Sequence, residues 1–362
     1  MDVKTAFLNG DLEEDIYMVQ PEGFVQEGGK DLVCKLNKSI YGLKQASRQW
    51  YLKFNKVVKD FGLVENVLDE CIYMKMSGRH FILLVLYVDD ILLACTNLTM
   101  LHDCKNFLSK NFEMTYLAGA SYVLGIDISR DRKNGVLGLP QKSYIEKVLK
   151  RFNMQNCTGS DIPIAKGDKL STEQAPKTEQ EKLEIVDKPY ASLVGSLMYA
   201  QVCTRPDLAF TVSVLGRFQS NPGQAHWIAG KRVLRYLQRT KDYKLTFKRS
   251  DTLELQGYAD ADFAGCQDSM KSTSGFVFMF GGGAVSWRSV KQPLTTGNKR
   301  TKGSRLLDVK FIIVKEKIAQ GYTNISHISI DKMIADPLTK GVPNAVFHRH
   351  VMSMGLRNDL KA

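Results

Sequence analysis

Two adjacent aspartates, Asp89 and Asp90, sit between the apolar runs Phe81–Leu86 and Ile91–Ala94. Each run has the length and composition of a strand. The pair therefore falls at a tight turn between two strands. Carboxylates held against apolar surface are costly unless a cation or a donor compensates. Paired aspartates on a rigid hairpin suit a site that holds two divalent ions roughly 4 Å apart and transfers phosphoryl groups. Mg²⁺ takes oxygen ligands and keeps several waters. The hairpin supplies at most two side chains, so a third carboxylate is expected from a neighbouring strand of the same sheet. Asp2, in Asp2-Val-Lys-Thr-Ala-Phe-Leu8, is the best candidate, because its strand-like setting is otherwise apolar.

These carboxylates need elements to position them. Residues 2–8 read as a strand. Residues 39–61 have helical spacing, with Leu43, Ala46, Trp50, Phe54, Val57 and Phe61 on one face and Gly62 as the stop. The hairpin 81–95 follows, then a helix over 99–112. Strands are predicted at Tyr122–Ser129 and Gly135–Leu139, and a helix at Ser143–Phe152. Residues 154–188 turn polar and read as a linker or long loop. Two or three helices follow between 189 and 240, broken at Arg205-Pro206-Asp207. Strands return at Lys244–Lys248, Leu253–Ala259, Ser274–Phe280 and Ala284–Trp287, as the opening of a second α/β domain.

The 362 residues suffice for two or three domains with real cores. No run of about 18 apolar residues marks a membrane span. The first residues lack the pattern of a secretion signal, so an intracellular protein is expected. Seven cysteines without CxxC spacing argue against a zinc site or a disulfide framework. The formal charge of +12 favours nucleic acid as partner. Basic residues cluster at 231–250, which include Lys231, Arg232, Arg235 and Arg239, and again at 291–317. Such stripes suit phosphate contacts. His327, His348 and His350 are expected on the surface rather than around a metal.

The ordered motifs reach a family. Asp2-Val-Lys-Thr-Ala-Phe-Leu-Asn-Gly10, Ile40-Tyr-Gly-Leu-Lys-Gln-Ala-Ser47 and Tyr87-Val-Asp-Asp90 closely resemble three core motifs of the copia-type retrotransposon reverse transcriptase. The likeness continues through Leu193-Val-Gly-Ser-Leu-Met-Tyr199, Thr204-Arg-Pro-Asp207 and His226-Trp-Ile-Ala-Gly-Lys-Arg232. Gly257-Tyr-Ala-Asp-Ala-Asp-Phe-Ala-Gly265 and Lys271-Ser-Thr-Ser-Gly275 then resemble the start of the family's ribonuclease H domain. The resemblance implies an α+β fold: a polymerase palm over 1–153, a polar linker over 154–188, a helical thumb or connection over 189–243, an incomplete ribonuclease H-like domain over 244–345 and a tail over 346–362. It implies an RNA-directed DNA polymerase acting on an RNA template, a primer, the RNA/DNA hybrid and deoxynucleoside triphosphates. Asp2, Asp89 and Asp90 become the catalytic carboxylates for two Mg²⁺ ions. Phe7 becomes the steric gate beneath the incoming sugar. Gln45 contacts the nucleotide, with Tyr41, Gly42 and Lys44 shaping its pocket. Ser47 stands where the family usually has proline.

Two departures from the family pattern are expected to matter. The family's fingers segment precedes the Asp2 motif and is expected to be missing. That leaves the Asp2 strand little ladder to pin it and puts the Met1 ammonium beside a metal ligand. In the ribonuclease H part, Asp260 and Asp336 match the first and last acids of that site. Asp262, Asp268, Asp308, Glu316 and Asp331 have no matching context for the central ones. A deletion near 297–305 is predicted to remove a core helix and a strand, leaving no nuclease. An impaired polymerase fragment is the expectation. A non-catalytic nucleic-acid-binding remnant or a pseudogene product is the alternative.

Overall fold

Ile82, Leu84 and Leu86 alternate along the strand His80–Tyr87 and are buried, whereas Phe81 and Tyr87 are exposed. That period of two turns one face of the strand into a core surface. The computed structural model describes residues 1–25, 28, 29, 31–117, 119–252, 254–293 and 316–358. The chain divides into two compact units, Met1–Ala120 and Ser121–Ala362.

The first unit is built on a six-stranded antiparallel sheet. Its order is Val64–Glu65, Ile72–Ser77, His80–Tyr87, Asp90–Cys95, Asp2–Val3, Met114–Thr115. Helices Ala46–Asp60 and Leu98–Asn111 bury Trp50, Phe54, Val58, Cys104 and Leu108 in one cluster with Val3, Ile82, Leu84 and Ile91. Asn97 caps the second helix by accepting from the Met100 amide at 3.0 Å. The first helix starts at Ala46, later than the periodicity from residue 39 predicts. Gly42 at φ +100° and the turn bond from the Leu43 amide to Ile40 fold the preceding segment into turns. The predicted strand 2–8 is only two residues long. Thr5 takes a left-handed φ of +50°, and the chain enters the 3₁₀ turn Ala6–Asn9. Short as it is, Asp2–Val3 lies inside the sheet with partners on both sides. The ladder is as short as expected, one residue pair on one side and two on the other, but it runs along both edges of the strand.

The second unit holds a four-stranded sheet, ordered Ser129–Asp131, Val136–Pro140, Lys244–Lys248, Leu356–Arg357. A three-stranded antiparallel sheet comprises Gln256–Ala261, Thr273–Phe280 and Gly283–Lys291. The helices Lys142–Arg151, Tyr190–Cys203, Ala209–Leu215, Gln224–Arg239 and Asn344–Ser353 share one apolar cluster with both sheets. The predicted strand Tyr122–Ser129 is instead a minimal hairpin, Tyr122–Val123 against Ile126–Asp127. Leu124 at φ +51° and Gly125 at φ +79° form its turn. Lys244–Lys248 ladders to Val136–Pro140 and Leu356–Arg357, not to the strands that follow it in sequence. Residues 154–188 carry the helix Glu179–Val186, capped by Thr178. His350 is buried among Phe347 and Val351 on its helix, against the expectation of a surface position. The predicted strand 308–314 and most of the basic stretch 291–317 lie outside the described residues. So does the junction at 297–305. Among the described residues, no helix is long and apolar enough to cross a membrane.

Candidate active site

The hairpin that carries Asp89 and Asp90 turns through Val88 and Asp89, with Tyr87 paired to Asp90. Val88 adopts φ +57°. Positive φ at the first turn position matches the right-handed twist of the flanking strands. It is also strained for a β-branched residue, by about 1–3 kcal/mol. Trp50 steadies the turn: its indole Nε1–H donates to the Val88 carbonyl at 2.5 Å. Trp50 is held in turn by Phe112 and Phe54, with ring centroids at 5.2 and 5.4 Å. Gly10 lets the 3₁₀ turn lie against this helix. A Cβ there would stand 3.0 Å from Gln49 Cβ and 3.1 Å from the Trp50 nitrogen.

Asp2 and Asp90 are direct cross-strand partners. The Val3 amide donates to the Asp89 carbonyl, and the Ile91 amide donates to the Met1 carbonyl, both at 2.8 Å. Bonds flanking the pair in this way define a non-hydrogen-bonded register, in which Cα atoms lie about 4.5 Å apart and side chains share one side of the sheet. Both aspartates are half-buried. Burial pushes the Asp90 carboxyl above its ordinary range, and the Asp89 and Asp2 carboxylates push it further. The Met1 ammonium donates to the Ile91 carbonyl at 2.9 Å.

Like charges opposed across a ladder are destabilising unless something between them is positive. Mg²⁺ fits this donor set. It binds through one or two carboxylates together with substrate phosphates, and seldom in an all-protein cage. Among the described residues, no group of three or more His, Cys, Asp or Glu is gathered as a metal site, so the three predicted ligands Asp2, Asp89 and Asp90 do not form one cluster; Asp2 and Asp90 are the pair that faces across the ladder.

The other predicted pocket residues divide into two groups. Phe7, on the 3₁₀ turn, meets Tyr41 with ring centroids 4.4 Å apart. The motif segments around residues 7 and 41 are thus joined through an aromatic pair. Gln45 precedes the helix Ala46–Asp60, and its Nε2 donates to Glu14 Oε2 at 2.6 Å. Lys44 and Gly42 are exposed. Neither the Glu14 partner nor the Trp50 hydrogen bond emerges from motif reading. Trp50 shows a core periodicity, but a buried indole N–H needs an acceptor, and that was the available signal.

The basic residues predicted for phosphate contact lie on helix Gln224–Arg239. Arg232 pairs with Asp168, Arg239 with Asp161 at 2.9 Å, and Arg235 Nε donates to the Thr158 carbonyl at 2.8 Å. Lys231 is exposed. Three of the four therefore fasten residues 158–168 along the helix. Asp260 lies on strand Gln256–Ala261, and Asp336 opens the 3₁₀ turn Asp336–Leu338. The two carboxylates meet around the Lys340 side chain.

Comparison with known proteins bears on this geometry. Residues 1–166 match the family described as reverse transcriptase (RNA-dependent DNA polymerase). The chain is 51% identical over 293 residues to the retrovirus-related Pol polyprotein from transposon TNT 1-94 of Nicotiana tabacum, which covers 81% of this chain and 22% of that protein. It is 32% identical over 291 residues to the transposon Ty5-1 protein of Saccharomyces cerevisiae, covering 80% of this chain and 92% of that one. The chain belongs to the copia-type retrotransposon Pol polyprotein family. A related Pol polyprotein from transposon RE1 of Arabidopsis thaliana is 37% identical over 292 residues, again covering 81% of this chain and 19% of that protein. The chain thus spans about a fifth of the length of the plant Pol polyproteins it matches. No solved structure matches it significantly. As a copia-type sequence, it carries the hairpin aspartates and Asp2 within the region matched to the reverse transcriptase family.

Proposed function

We propose that this chain is the polymerising part of a copia-type Pol polyprotein, an RNA-directed DNA polymerase that joins deoxynucleotides by two-metal nucleotidyl transfer. The observation that carries the reading is the cross-strand pairing of Asp2 with Asp90 beside the Asp89 turn. In this reading Asp2, Asp89 and Asp90 are the carboxylates that would hold Mg²⁺, with Asp90 facing Asp2 across the ladder and Asp89 next to it in the turn. When bound, the metal would activate the primer hydroxyl and neutralise the triphosphate. The chain's own part is placement. Trp50 keeps the hairpin tip rigid through the Val88 carbonyl. Phe7, backed by Tyr41, presents a ring beneath the incoming sugar, where a ribose 2′-OH would collide. Gln45, held by Glu14, faces the nucleotide. Template, primer and hybrid bind through the basic surplus. The palm and ribonuclease H-like architecture belongs to the same proposal. The Asp260–Asp336 pair is left without matching central acids, so no nuclease accompanies the polymerase.

The test is Mg²⁺-dependent extension of a DNA primer on an RNA template by the full chain. Asp89→Asn should lower the extension rate by about 100-fold or more while leaving the melting curve in place. Equal extension by wild type and Asp89→Asn would sink the assignment. Tight, salt-sensitive binding of primed template with no extension by either chain would favour a binding remnant instead.

A further inference from the structure

Gly275 is the cross-strand partner of Asp260. A Cβ at this glycine would stand 2.7 Å from Leu338 Cβ and 3.0 Å from Thr339 Cγ2. The missing side chain lets the turn Asp336–Leu338 close directly onto the sheet. Asp336 is only 5% exposed there. Its Oδ1 lies 2.5 Å from the ammonium of Lys340, four residues further along the chain. The same ammonium stands 3.8 Å from Asp260 Oδ2. That oxygen also accepts from the Thr339 hydroxyl at 2.5 Å. Asp262 adds a further negative charge nearby.

Two carboxylates gathered at a mostly buried seam require neutralisation. An ammonium provides one positive charge and three donors without leaving the chain. We propose that Lys340 is the resident cation of the Asp260–Asp336 pair. Its ammonium bridges the two carboxylates and latches the 3₁₀ turn onto the sheet. It also holds the position between them that a divalent ion would need. Mg²⁺ requires carboxylate oxygens at about 2.0–2.1 Å, and a fixed ammonium beside the same oxygens repels it. This inference concerns carboxylates separate from the hairpin pair, so it stands or falls independently of the polymerase reading.

The experiment uses the full chain, with reductive methylation of lysines read by mass spectrometry and Mn²⁺ binding read by electron paramagnetic resonance. In the wild type, Lys340 should be methylated several-fold more slowly than the exposed Lys231, and Asp336→Asn should erase that protection. Lys340→Met should lower the melting midpoint by about 3–6 °C, and Lys340→Arg by much less. Asp260→Asn should leave the wild-type Mn²⁺ isotherm unchanged. Loss of a Mn²⁺ site in Asp260→Asn would make a metal ion the true occupant and overturn the proposal. Methylation of Lys340 as fast as Lys231 would also overturn it. That comparison needs only the wild-type chain, so it holds even where a variant fails to fold.

Discussion

At the residue scale, the molecule places charged and titratable groups where their protonation matters. His226 is fully buried and stacks on Phe218 with ring centroids 4.0 Å apart. Its Nδ1 accepts from the Gly223 amide at 2.8 Å, and its Nε2 faces the Ser171 carbonyl at 3.1 Å. This network assigns the neutral ring with the proton on Nε2, because a second proton on Nδ1 would point at another N–H. Burial lowers the His226 pKa below its ordinary 6.5, and the Ser171 carbonyl and Asp268 only partly oppose that. His350 is lowered as well, by burial first and by Arg349 second. A histidine held neutral contributes stability that is fully present above its unfolded pKa. That stability is lost as pH falls below about 6.5 and through the lower folded value. The melting midpoint should therefore fall between pH 7 and pH 5, and the fall should be smaller in His226→Gln. A midpoint that is flat over this range would contradict the assignment.

At the element scale, two contacts carry unusual weight. Trp50→Phe keeps a ring in the core but removes the only donor that the Trp50 side chain offers to the Val88 carbonyl. The loss should cost about 1–2 kcal/mol and should slow primer extension, because the strained turn loses its tether. Unchanged melting and unchanged extension would dismiss that role. The second contact is the fully buried Arg205–Asp207 pair. Arg205 meets Asp207 Oδ2 at 2.7 Å, Tyr236 donates to the same oxygen at 2.6 Å, and Arg205 also reaches Thr240 at 2.7 Å. This network fixes the break after helix Tyr190–Cys203 to the end of helix Gln224–Arg239. Asp207→Ala strands a guanidinium in the core, and chemical denaturation should register a loss of about 3–5 kcal/mol. The hairpin was legible in the sequence because strand alternation and the paired acids agree. The helix faces around Trp50 and Cys104 were legible for the same reason, since period and packing coincide. Thr5, Val88 and Leu124 were not legible. Each adopts a positive φ that its side chain disfavours, so tertiary contacts, not local propensity, set the turn. The latch at Asp336 and Lys340 was half visible. The motif named the aspartate, but its cation became apparent only when Gly275 was seen to admit the turn.

At the scale of the whole molecule, charge is the dominant property. The +12 surplus predicts affinity for a primed template that collapses with salt. With six or more phosphates contacted, binding should weaken about a thousandfold between roughly 50 and 200 mM salt. Arg232, Arg235 and Arg239 are engaged by residues 158–168, so their alanine variants should lower stability more than they change the salt slope. Filter binding over a salt series would show the reverse if these side chains grip phosphate instead. The same distribution explains why charge counting alone overstates an interface: part of the basic stripe is spent on the chain's own carbonyls and carboxylates. The strand Asp2–Val3 carries a consequence of another kind. It joins Asp90–Cys95 and Met114–Thr115, and the Met1–Ile91 contact closes a loop of 90 residues. Loop closure of that length is entropically late. Until it occurs, the inner margins of Asp90–Cys95 and Met114–Thr115 lie open to pairing with another chain. The carboxylate partnership is thus among the last features to assemble during folding, and its completion also seals the sheet against aggregation.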